Sequence, residues 1–401
     1  MRASQALNDA PDGVQPLWAR WNGRPHWRYT IGVEEELMLL HRTPDHSPAP
    51  SGDRVLSRLS RELFEHTSPE THASVIELTT EIHRDVAGAA AQLTTLRARL
   101  ARELTGMGLC AVCAGTYPLA RTDEIRVSPG ARYERVSASM RMLTRREPTM
   151  ALHVHVGVPE PEDAIRLLNG LREVVPVLLA LSANSPFSQG RDSGFASART
   201  VIFQGFPRTG TARRFADYTD YVEVVDPLIA SGALPDPSFL WWDVRLQPAL
   251  GTVEVRLMDA QSSVADSAPL IALVQSLAPL VLEGEAPNGA TAPEILAENR
   301  FLAARDGLQA RLIDPVKREL VPIRTIVDAL LERCRPYANA LGCPAELDQI
   351  RRLAAANGAD RQRAQAREAG LVDLVTTLAQ RFTTHDLPTA ANGLARRMQD
   401  R

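Results

Sequence analysis

Three short runs of alternating residues constrain this chain more than anything else in it: Tyr29–Met38 (YTIGVEEELM), Met150–Gly157 (MALHVHVG) and Gly251–Asp259 (GTVEVRLMD). In an extended strand, side chains at i and i+2 share a face. The alternation therefore pairs Glu34 with Glu36, His153 with His155, and Glu254 with Thr252 and Arg256. Val253, Val255 and Leu257 fall on the opposite side, the pattern of a sheet packed on one face and chemically active on the other. Glu35 falls with Val33, Leu37 and Leu39 on the apolar side, an awkward place for an acid. Two carboxylates held side by side repel unless a metal, a shared proton or an arginine sits between them. A carboxylate-rich set joined by an imidazole from far along the chain suits Mg²⁺ or Mn²⁺ better than zinc. Glu254 beside Arg256 adds one more ligand and a phosphate clamp, which points to nucleotide chemistry.

Other residues extend this set, each against a plainer alternative. Glu77 lies in the strand-like run VIELTTEI and would supply a further oxygen. His153 and His155 are read as a ligand or a phosphate contact, because burying two imidazoles on one face takes two sets of partners. The loop 181–190 (LSANSPFSQG) contains Asn184 and is followed by Arg199; it reads as a substrate-orienting loop or as a plain turn. The run 241–245 (WWDVR) offers Trp242 as a stacking wall and Arg245 as an anion clamp, with core packing the alternative for a tryptophan. Cys110 and Cys113 form a C-x-x-C inside an apolar run and are read as ordinary buried thiols.

The chain has 401 residues and a net charge of −3, with its basic residues spread rather than clustered. That argues against nucleic acid and anionic membrane as partners and leaves small molecules. Val174–Leu181 contains Pro176 and is too short to span a bilayer. With no basic segment and apolar core at the start, a cytoplasmic location is the expectation, and a homo-oligomer is allowed. Residues 1–28, broken by prolines and glycines, read as a flexible arm; 29–282 as a sheet-and-helix core; 283–293 as a linker; 294–401 as a helical layer of the same domain. Strands are expected at 29–40, 74–83, 109–117, 150–158, 240–247 and 250–258. Helices are expected at 85–106, 161–182, 265–282, 294–305, 316–340, 344–357 and 361–382.

The runs GVEEEL (32–37), IELTTEIHRD (76–85), HVHVG (153–157), LSANSPF (181–187), FASAR (195–199), WDVR (242–245), GTVEVRLMD (251–259) and ENRFLAARDG (298–307), in that order, resemble the carboxylate-amine ligase family that contains glutamate–cysteine ligase type 2. The resemblance implies an α+β, glutamine-synthetase-like fold, in which a curved, largely antiparallel sheet covered by helices forms a funnel for ATP and Mg²⁺. It implies metal ligands at Glu34, Glu36, Glu77, His153 and Glu254, with Glu70 or Glu81 as a further carboxylate. It places Arg256 on the γ-phosphate, Arg199 and Arg245 as clamps for a carboxylate substrate, and nucleotide contacts at His155, Trp242 and Asn184. The implied activity is amide formation through an acyl phosphate, with glutamate and cysteine or a related amine as substrates. A metal-dependent hydrolase and a non-catalytic amino-acid-binding protein remain as alternatives.

Overall fold

The computed structural model describes residues 15–121, 124–284 and 291–383. The three alternating runs become neighbouring strands of one seven-stranded antiparallel sheet. Its strands are β1 (Ile31–His41), β2 (Thr67–Pro69), β3 (Val75–Thr79), β4 (Leu109–Val112), β5 (Ala151–Gly157), β6 (Val244–Gln247) and β7 (Thr252–Asp259). They lie in the order β6-β7-β5-β1-β3-β2, and β4 pairs with the far half of β1. The sheet is not closed. Along β1, Ile31, Val33, Glu35 and Leu37 are buried while Gly32, Glu34 and Glu36 are half-buried, so the alternation is realised as two faces.

The principal helices flank the sheet. They are α1 (Val86–Gly106), α2 (Ala131–Met140), α3 (Pro161–Ser182), α4 (Ala198–Phe203), α5 (Val264–Glu283), α6 (Pro293–Asp306), α7 (Ile323–Leu341) and α8 (Gly358–Arg381). Here α1 packs on β1 and β4, α3 on β6 and β7, and α5 on β5. Asp85 starts α1 by accepting from the Gly88 N–H, and Pro161 with Glu162 and Asp163 opens α3. Helix α5 is long and apolar enough to cross a membrane by length and composition, but it lies buried in the core. Glu35 finds its partners in this layer. Arg97 of α1 donates through Nε to Glu35 at 2.8 Å, and Ser267 of α5 donates to its other oxygen at 2.6 Å. The same guanidinium also donates to the Gln261 and Ser262 carbonyls.

The C-terminal layer departs from expectation. Instead of one helix over 316–340, residues Arg311–Asp314 and Glu319–Pro322 form a hairpin, and α7 begins only at Ile323. The turn is made by Asp314, whose Oδ1 accepts from the Val316 and Lys317 N–H groups and so competes with helix formation. Residues 344–357 split into Pro344–Asp348 and Ile350–Ala355, and α8 breaks at Gly370, whose φ of +85° suits glycine. Residues 15–28, part of the expected arm, hold two short 3₁₀ turns pinned to the core. Trp21 donates to the Val158 carbonyl, Trp18 to Asp226, and Tyr218 to the Ala19 carbonyl. Aromatic anchors outweigh the breakers there. The rest of the arm, most of the linker and residues 384–401 lie outside the described residues. Cys110 and Cys113 are free thiols, and Cys113 is buried.

Candidate active site

Strand register brings the expected ligands together. Glu34 stands opposite His153, Glu36 opposite Glu77, His155 opposite Glu254, and Glu254 opposite Arg245. Directly opposed side chains on one face are neighbours. Three overlapping groups result, each with its donor atoms within 4.8 Å of one another: Glu34, Glu77 and His153; Glu34, His155 and Glu254; Glu36, Glu70 and Glu77. Glu70, from the segment joining β2 and β3, therefore joins the cluster. Glu81 does not; it is exposed and faces His66.

The electrostatics of the cluster divide its members. Burial raises the Glu36 pKa to about 8, with the Glu70 charge adding to it. Burial also raises Glu70, and it raises Glu77 well above the usual range, reinforced by Glu34, Glu70 and Glu36. Three acids pushed toward the neutral form within one small volume make a site that a cation would relieve. Burial opposes ionisation of Glu34 as well, but the charges and hydrogen bonds of His155 and His153 outweigh it and hold this carboxyl low. Glu254 is also held low, since Arg245, His155 and Arg256 overcome its burial. Its oxygens accept from Arg245 Nε at 2.6 Å, Gln247 Nε2 at 2.7 Å and Arg256 Nε at 3.1 Å. An ionised carboxylate offers about four acceptor positions, so Glu254 keeps capacity for one further partner.

The imidazoles are set differently. Nδ1 of His153 meets Glu34 at 3.0 Å and Nδ1 of His155 meets Thr252 Oγ1 at 3.0 Å; His153 Nε2 is buried without a hydrogen-bond partner, whereas His155 Nε2 lies 3.4 Å from Glu34 Oε1. A histidine whose Nδ1–H is held by a carboxylate presents Nε2 as a bare lone pair, the arrangement typical of metal ligation. Burial lowers the His153 pKa to about 4, which keeps it neutral and ready to ligate. Burial opposes charge on His155 too, but Glu34 and Glu254 more than offset it and raise its pKa, which suits an anion better than a metal. The donor set, the orphaned Nε2 of His153 and the mutual repulsion of the acids fit a hard divalent cation.

A cavity of about 290 Å³ opens over Glu34, Glu36, Glu70, Glu77 and His153, with Arg199, Arg245 and Arg256 on its wall. Arg199 donates to the Leu257 and Arg256 carbonyls and leaves Nε unpartnered; Arg256 leaves Nη1 unpartnered. Phe203, Phe206 and Trp241 form an aromatic corner, with Trp241 6.3 Å and 6.0 Å from the two phenyl rings. Trp242, the expected stacking residue, does not line this cavity and packs instead at 6.0 Å from Phe215. Neighbouring residues of an extended segment point to opposite sides, so only one of the pair reaches the cavity. Asn184 also lies elsewhere. It is buried, donates to the Ala260 carbonyl and Ser262, and accepts from Gln362, so it holds the segment after β7. The sequence reading missed His72, Arg132, Tyr133 and Glu147, all on the cavity wall.

A second pocket of about 240 Å³ lies at the other end of the strands, lined by Trp27, Ile31, Val33, Ile82 and Leu250 together with His155 and Thr252. Glu34 is on the wall of both pockets.

Comparison with known proteins places this geometry among related chains. A family model described as glutamate–cysteine ligase family 2 matches residues 30–376. A Rubrobacter xylanophilus protein, provisionally named glutamate–cysteine ligase 2-1, is 39% identical over 355 residues, covering 88% of this chain and 94% of its own. A Thermobifida fusca protein, provisionally named glutamate–cysteine ligase 2, is 34% identical over 368 residues, covering 89% and 92%. Among solved structures, the Francisella tularensis glutamate–cysteine ligase in complex with AMP superposes with a TM-score of 0.64 at 14% identity, covering 90% of both chains. The bifunctional glutathione synthetase of Pasteurella multocida superposes with a TM-score of 0.66 at 15% identity, covering 88% of this chain and 52% of its own. At these identities the likeness is one of fold, the glutamine-synthetase-like arrangement of helices and antiparallel sheet.

Proposed function

The chain belongs to glutamate–cysteine ligase family 2, a family of ATP-dependent ligases that form C–N bonds, and from that premise we propose that it activates the carboxylate of L-glutamate with ATP as an acyl phosphate and passes the acyl group to an amine. The observation that carries this reading is the pairing of two unlike pockets at Glu34: one polar with acids and arginines, the other largely apolar. The apolar pocket suits a nucleobase, as the AMP complex of the Francisella relative encourages. The polar cavity suits phosphates and an amino acid.

A carboxylate oxygen is a poor leaving group in water, and phosphorylation turns it into a good one. Glu34, Glu36, Glu70, Glu77, His153 and Glu254 would hold Mg²⁺, which supplies positive charge against the phosphoryl group in transfer. The free Nη1 of Arg256 donates to an oxygen of that phosphoryl group, and Glu254 holds the guanidinium in place through Nε. His155, with its raised pKa, offers a second donor to phosphate from the side of the apolar pocket. Arg199 and Arg245 line the cavity where they can pair with the charged groups of glutamate. Such a mechanism rests on positioning and charge and calls for no nucleophilic side chain.

The test is ADP release from ATP and Mg²⁺ with L-glutamate, measured with L-cysteine and with a broad set of amines. ADP should appear only with glutamate, and mass spectrometry should show γ-glutamylcysteine or another γ-glutamyl amide. A metal-dependent hydrolase would form no ADP. If glutamate never lifts ADP release above the ATP-only background, the glutamate assignment falls while the family membership stands.

A further inference from the structure

Glu147 lines the polar cavity but belongs to none of the three metal-competent groups. It comes from the connection between β4 and β5, where Thr149 bridges Thr116, and Ser188 of the short strand Phe187–Ser188 donates to its Oε2. The segment is thus held by a backbone bridge and the carboxyl by a side-chain hydrogen bond. The residue is only 3% exposed, yet its Oε1 is buried with no hydrogen-bond partner. A buried carboxylate oxygen left unpaired is costly, and in a well-satisfied fold it asks for a ligand. Burial pushes its pKa up to about 7, with the Ser188 hydroxyl and the Gln189 N–H pulling the other way. Such a group can hold or release a proton near neutrality.

We propose that Glu147 Oε1 receives the ammonium group of the amine substrate and takes a proton from it before the amide bond forms. The proposal rests on the acyl-phosphate reading above. The acids facing the sheet would be committed to cations, which leaves Glu147 as the carboxylate free to meet a positively charged amine. In the step, the ammonium passes one proton to Glu147 Oε1, and the freed lone pair attacks the acyl carbon. The C–N bond forms and the bond from that carbon to the phosphate oxygen breaks. Phosphate leaves with the bonding pair and takes the second N–H proton, and Glu147 then returns its own proton to solvent.

Two nucleophiles of equal size separate this role from a structural one: methylamine, cationic near neutral pH, and hydroxylamine, neutral there. Wild type, Glu147→Gln and Glu147→Asp are each supplied with ATP, Mg²⁺ and L-glutamate, and amide, hydroxamate and ADP are measured. Glu147→Gln should lower methylamide formation about 100-fold with a raised methylamine KM, the usual scale of lost proton transfer. Hydroxamate formation should fall by a far smaller factor, and Glu147→Asp should recover part of the methylamide rate. Equal losses with both nucleophiles would make Glu147 a packing residue, and an unchanged methylamide rate would remove it from the amine site. A wild type that consumes hydroxylamine but never methylamine also overturns the proposal. No glutamate-dependent ADP and no hydroxamate from wild type would instead sink the acyl-phosphate reading itself.

Discussion

Glu34 and Glu36 stand two residues apart on one strand face, yet their surroundings pull them in opposite directions. Histidines hold Glu34 ionised, whereas burial and Glu70 push Glu36 up to about 8. At neutral pH folding must therefore take up a proton at Glu36, which costs stability, whereas the charge on Glu34 supports folding. Without Mg²⁺, thermal unfolding should show Glu36→Gln melting above wild type and Glu34→Gln below it. Both should lose most Mg²⁺-dependent ADP release, and a variant that keeps wild-type turnover across Mg²⁺ concentrations removes that residue from the metal set. Arg256→Lys keeps the charge but loses the planar fork, so kcat should fall about 100-fold, or about 3 kcal/mol, with little change in ATP affinity. Weakened ATP binding at unchanged kcat would make Arg256 a ground-state contact. At this scale, strand-borne groups were legible because a period of two assigns their faces without knowledge of the fold. Trp241 shares the parity of Arg245, and that signal, applied through the run, selects it over Trp242. His72, Arg132 and Glu147 come from connections and a helix, where no period aims a side chain.

Among the elements, β1 works on both faces at once. Its half-buried side carries Glu34 and Glu36, and its buried side is tied by Glu35 to α1 and α5. Removing one member of a buried ion pair strands the other, typically at about 3 to 5 kcal/mol. Arg97→Met should accordingly lower the denaturation midpoint sharply, and the double variant Glu35→Leu with Arg97→Met should regain much of the loss. Urea titrations of the four proteins give the coupling directly, and additive losses would deny it. The sheet and the long helices were readable because each carries many residues of one period. The hairpin at 311–322 was not, because its strands are four residues each and hold a single buried residue between them, so packing leaves no alternation to read. The break in α8 rests on Gly370 alone, and one glycine in a helix-rich run is a weak signal.

Across the whole molecule, Asp266 joins the C-terminal helices to the core. It is buried at the start of α5 and meets Arg352 at 2.8 Å and Arg361 at 2.9 Å, with Arg381 at 3.8 Å. Burial works against its charge, but Arg361 and Arg352 prevail and lower its pKa below the ordinary 3.8. A depressed carboxyl pKa adds stability above the unfolded value and loses it as pH falls through the folded one. Asp266→Asn should therefore melt below wild type at neutral pH, with the gap closing below about pH 4. A gap that stays constant in acid would assign the loss to packing. The polar cavity has its own large-scale consequence, since its walls come from two sources. Strands supply Glu34, Glu36, Glu77, His153, Arg245 and Arg256, joined by Glu70 from the β2–β3 connection, while the β4–β5 and β5–β6 connections supply Arg132, Glu147, Phe203 and Trp241. Connections tolerate replacement far better than paired strands. An engineer, or evolution, could graft new β4–β5 and β5–β6 connections to change which molecules enter, and the strand-borne floor proposed to handle phosphoryl groups would come along untouched as an inherited chassis.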